Sequence, residues 1–97
     1  MDDSSGTIVL RLPAEVDASV VDPVSRQARE LLREPGVHAL VVDMGGVVFL
    51  DSLGLGLLVR LRALADDRGA TMSLRDVPAK AARIIELTGL LDHLSAQ

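Results

Sequence analysis

The spacing of apolar residues switches repeatedly between period two and the helical period along this chain, and that alternation admits few folds. Thr7 to Leu12 alternates, with Ile8, Leu10 and Leu12 on one face and Val9 and Arg11 on the other, until Pro13 stops it. A polar connection over 13–19 carries Glu15 and Asp17. Helical spacing follows in Val24, Ala28, Leu31 and Leu32. Asp22-Pro23 suits the start of that helix, with Ser19 as the cap of a longer version, and Pro35-Gly36 ends it. Val37 to Met44 is almost continuously apolar through its middle and bounded by turn residues, which predicts a strand covered on both faces.

A second helix is expected from Leu53 to about Arg68, with Leu57, Leu58, Leu61, Leu64 and Ala65 as its buried stripe and Gly69 as its stop. Thr71 to Arg75 alternates again and predicts a half-exposed strand. A third helix begins near Pro78, with Asp76 as capping candidate, and runs to Thr88-Gly89; residues 90–94 add a short apolar turn. Strands and helices that alternate in this way define an α/β domain, with a small mostly parallel or mixed sheet and helices packed against it. The domain is expected over residues 7–97, after a flexible lead over 1–6. The sequence itself shows no internal repeat.

Composition narrows the function. The 97 residues suit one domain, and there is no cysteine, so disulfides and thiolate metal sites are out and a reducing, cytoplasmic setting is expected. A net charge of −4 and Phe49 as the sole Phe, Tyr or Trp argue against nucleic-acid binding, which needs a basic face or stacking platforms. No apolar run reaches a membrane span of roughly 18 residues, so no direct membrane insertion is expected. His38 and His93 stand apart from any nucleophile, and Ser52 lacks the flanking glycines of a nucleophile elbow. No enzyme, cofactor or metal site is therefore expected. Asp43 and Asp51 at strand ends suggest an acidic pocket only weakly, for no partnering lysine follows on a later strand.

The informative stretch is Val41 to Leu61. A buried strand leads to Gly45-Gly46, and Asp51-Ser52 then opens a helix, with Ser52 expected as its N-cap. Helix starts favour anions, a phosphate included. Gly54 and Gly56 each cost a helix ~1 kcal/mol relative to alanine. They make sense where something approaches the backbone closely beside Ser52. Leu55 and Val59 lie one turn around from the buried stripe, and predict an apolar docking rim that Leu53 shares and Arg62 continues.

Phe49-Leu50-Asp51-Ser52-Leu53-Gly54-Leu55-Gly56 resembles the signature of the STAS family, and of bacterial anti-sigma factor antagonists within it. Ala14-Glu15-Val16-Asp17 and Glu86-Leu87-Thr88-Gly89-Leu90 are similar to two further motifs of that family, in the same order. The resemblance implies a STAS-like domain that binds an anti-sigma factor, itself a serine kinase, and so frees a sigma factor. It implies that Ser52 is the residue phosphorylated to break that complex, with Asp17, Asp51 and Gly54 near it. Leu53 departs from the pattern, standing where the family has a small hydroxyl residue. The alternative within the same fold is an accessory subunit of a membrane transport complex that docks on a transporter ATPase or permease without being phosphorylated.

Overall fold

The computed structural model describes residues 6–88; Gly89, Leu90, the expected apolar turn over 90–94 and His93 lie outside that range. In chain order the elements are β1 (Thr7–Arg11), β2 (Glu15–Val16), α1 (Ala18–Leu32), β3 (Ala39–Asp43), β4 (Phe49–Leu50), α2 (Ser52–Asp67), β5 (Thr71–Arg75) and α3 (Ala79–Thr88). β1, β3 and β5 form a parallel sheet in that order, and β2 pairs with β4 in a second, two-stranded parallel ladder. The unit of strand, short strand and helix thus occurs twice, before β5 and α3, although its residues do not repeat.

Register explains which residues go inside. Ile8, Leu40 and Met72 stand side by side across the sheet, as do Leu10, Val42 and Leu74. Those two rows share a face, because side chains alternate along a strand. They meet Val24, Ala28, Leu57, Leu58, Leu61, Ala81 and Ile85 from the three helices in one core. The opposite face carries Val9, Val41 and Ser73 in one row, and Val9 is half exposed. β3, expected to be covered on both faces, is therefore covered fully on one.

α1 begins five residues before Pro23. Asp17 is its N-cap in extended geometry, and the Asp17 carboxylate accepts the Ser19 amide at 2.9 Å. Pro23 sits inside the helix, where it removes a backbone hydrogen bond at ~3 kcal/mol or more. Burial of Val24 and Leu32, at ~1.5–3 kcal/mol each, offsets that cost. The rule that places proline first in a helix therefore misplaced this start. Asp76 does not cap α3; it turns the chain with φ of 55°.

At the C-terminal end of the sheet, Arg11, Asp43 and Arg75 lie in register on three strands. Asp43 Oδ2 accepts from Arg11 at 3.2 Å and Arg75 at 2.9 Å, and Oδ1 accepts the Gly45 amide at 2.9 Å. One buried carboxylate thus joins the strands and holds the Gly45-Gly46 turn. The acidic-pocket reading ends here, since Asp43 is already partnered by two arginines. The Gly45 amide, then Arg75 and Arg11, hold the Asp43 carboxyl below its ordinary value against the upward push of burial. A depressed carboxyl stabilises the fold above its unfolded value near ~3.9 and loses that effect as pH falls through the folded value. Asp43→Asn is expected to melt lower than wild type near neutral pH. The gap should narrow in thermal melts as pH falls from about 6 to about 3; a gap independent of pH would refute the assignment.

Candidate functional site

The β2–β4 ladder sets the site. Val16 stands opposite Leu50, so the next residues, Asp17 and Asp51, start α1 and α2 side by side on strands about 4.8 Å apart. The Asp51 amide reaches the Val16 carbonyl at 3.4 Å, continuing the ladder by one bond. Both aspartates are extended N-caps: Asp17 takes the Ser19 amide, and Asp51 takes the Gly54 amide at 2.9 Å. Asp17 also accepts the Ser19 hydroxyl at 2.6 Å, and these two bonds hold its carboxyl below the ordinary value.

Asp51, and not Ser52, therefore caps α2. Ser52 is the first helical residue and is exposed, and among the described residues its hydroxyl makes no hydrogen bond. The correction has a simple cause. An aspartate and a serine stood next to each other, both good caps, and the register of β4 chose the first.

Around Ser52 the expected residues divide. Leu53 is 55% exposed and Val59 43% exposed, and both point away from the core. Leu55 does not join them: it is 9% exposed and packs in the core. The reason lies at Gly54, where a Cβ would come within 2.5 Å of the Val16 carbonyl oxygen and 2.6 Å of Leu50 Cδ1. So close a seating of α2 on β2 and β4 draws the Gly54–Leu55 edge inward. What approaches Gly54 is thus the chain's own strand. Gly56 is different, because a Cβ there would meet nothing within 4 Å among the described residues. Arg62 pairs with Asp66 at 3.2 Å, and its Nη1 is buried with no hydrogen-bond partner among the described residues.

The sequence reading missed Val48, 78% exposed, and Phe49, half exposed, two apolar side chains on the segment that leads into α2. They flank a shallow groove between β4 and α3, with Pro78 and Ile84 on its far side. A signal was present: Phe49 is the sole large aromatic residue and sits two residues before Asp51. Among the described residues no group of three or more His, Cys, Asp or Glu gathers to hold a metal ion. No helix among them is long and apolar enough to cross a membrane.

Parallel strands backed by helices, with two aspartate-capped helix starts brought together at one end, define a particular class of small α/β domain. The chain belongs to the STAS family: the family model described as "Mlab, STAS domain" matches residues 1–95. An anti-sigma F factor antagonist from Paenibacillus polymyxa is 28% identical over 90 residues, covering 93% of this chain and 77% of that protein. The fold matches the anti-sigma factor antagonist SpoIIAA in its unphosphorylated form, with a TM-score of 0.75 and 19% identity over 93% of this chain and 78% of that one. It also matches a sulfate transporter family protein from Wolinella succinogenes, with a TM-score of 0.78 and 17% identity over 98% of this chain and 84% of that one.

Proposed function

We propose that this chain is an anti-sigma factor antagonist, a partner switch without catalytic turnover of its own, gated by phosphorylation of Ser52. The unmodified domain docks on an anti-sigma factor that is also its serine kinase, through Leu53, Gly56 and Val59 on α2 with Val48 and Phe49 beside them. Docking frees a sigma factor, and phosphate on Ser52 ends it. The observation that carries this reading is the idle Ser52 hydroxyl. Asp51 has taken over the cap, so the serine is solvent-facing at a helix start, next to the exposed Leu53. The names of the relatives support the same direction.

A second reading keeps the docking surface and removes the gate: an accessory subunit of a membrane transport complex, seated on its ATPase without modification. The fold match to a sulfate transporter family protein favours it, as does Leu53 in the place of a small hydroxyl residue. Intact mass of the protein purified from its own cells, with and without phosphatase, separates the two. The first reading expects a phosphatase-sensitive addition of one phosphoryl group that maps to Ser52. An unmodified mass under all growth conditions, together with co-purification of a transport ATPase, would establish the second.

A further inference from the structure

The far end of the molecule carries a feature that the Ser52 site does not use. α1 and its C-cap place Arg26, Arg29 and Arg33 along one side over about two turns, or ~10 Å. With Arg68, which ends α2, they line a cleft of about 430 Å³ between the C-terminal halves of the two helices. Its apolar floor comes from Leu32 and Leu64. Glu30 and Asp67 also border it, so four arginines face two carboxylates in a chain whose net charge is −4.

These arginines are uncommitted. Arg11, Arg62 and Arg75 are spent on ion pairs with Asp43 and Asp66. None of the cleft arginines is in an ion pair among the described residues, although Arg26 and Glu30 are one helical turn apart. Among the described residues the Arg68 side chain makes one hydrogen bond, a 3.4 Å contact from its Nε to the Leu32 carbonyl. Complementing a helix dipole would need a cation only in the last turn, and Arg26 lies beyond it.

We propose that this cleft is a second docking site, which takes an extended acidic segment of a protein partner. Charge selects an anion, and the layout selects its shape. A compact anion such as phosphate engages neighbouring guanidinium groups through bidentate bonds but cannot span a ~10 Å row. Carboxylates spaced along a peptide can, while apolar side chains between them meet Leu32 and Leu64. The site lies about 24 Å from Ser52, the length of α2, so both ends can be occupied at once.

The test uses the full chain and a fluorescein-labelled peptide of alternating glutamate and leucine, about ten residues or ~33 Å when extended. Fluorescence anisotropy should show saturable binding that weakens with salt. Arg29→Glu/Arg33→Glu should lower affinity by about tenfold or more, because two attractions become two repulsions. Arg29→Gln/Arg33→Gln gives a smaller loss and serves if the reversal unfolds the chain. Arg60→Glu, an exposed arginine outside the cleft, should keep affinity within about twofold. Equal loss in Arg60→Glu, no binding at all, or displacement by pyrophosphate at concentrations matching the peptide would each overturn the proposal.

Discussion

Under the proposed switch, Ser52→Asp is expected to fold as wild type does and yet bind the proposed anti-sigma partner a hundredfold or more weakly, while Ser52→Ala binds normally and is insensitive to the proposed kinase. The same charge meets two different environments. In the free domain a phosphoryl group adds about −1.5 to −2 charges at the first residue of α2. The helix dipole favours an anion there, and the Asp51 carboxylate next door opposes it, so stability changes little. In the proposed complex the same group lies in the docking patch beside Leu53 and must be stripped of water. An unpaired charge buried in that way costs several kcal/mol, and ~1.4 kcal/mol is tenfold in affinity. Calorimetric titration of the partner with wild type, both variants and the phosphorylated protein decides the matter. Val59→Glu belongs in the same series: it should lose partner binding without loss of melting temperature, since Val59 stands outside the core. Equal affinity for wild type, phosphorylated protein and both Ser52 variants would sink the switch and leave Ser52 a plain helix residue.

The elements most legible in the sequence were those whose hydrophobic period is long enough to count. β5 falls on the expected Thr71–Arg75, and the stripe of α2 holds at Leu57, Leu58, Leu61 and Ala65. β2 and β4 escaped, because two residues carry no period; they exist only through pairing with each other across 34 positions of chain. That pairing then decides the features that local rules misjudged. It brings Asp17 and Asp51 together as caps, moves the start of α1 upstream of Pro23, relieves Ser52 of capping and turns Leu55 inward. The Asp43 pairs were hidden for a similar reason, since Arg11 and Arg75 reach it only once three strands are in register. The structural repeat was invisible too. It conserves a position for a capping aspartate and a pair of strands, and its helices share no residue pattern.

The two glycines of α2 should respond to alanine in opposite directions. In an open helix position, glycine to alanine gains ~1 kcal/mol from the backbone entropy that glycine forfeits on folding. Gly56 is such a position, with nothing among the described residues within 4 Å of a new methyl group, so Gly56→Ala is expected to stabilise the free domain by about that amount. Gly54 carries the same propensity gain, but its methyl group would have to displace the Val16 carbonyl, a backbone atom tied into the ladder by the Asp51 amide. Overpacking of that kind costs ~1–3 kcal/mol or more, which exceeds the gain, so Gly54→Ala should melt several degrees below wild type. Denaturant titration of both variants measures the contrast directly. If Gly54→Ala were as stable as Gly56→Ala, the close seating of α2 on β2 would be wrong, and with it the inward turn of Leu55. Partner binding adds a further distinction. Among the described residues Gly56 has no steric reason to be glycine, so a partner backbone laid against it predicts that Gly56→Ala binds more weakly even as it melts higher. Weakened binding from a stabilised, correctly folded variant is an effect that loss of fold cannot mimic, and it would place the docking surface on α2 at the turn that follows Ser52.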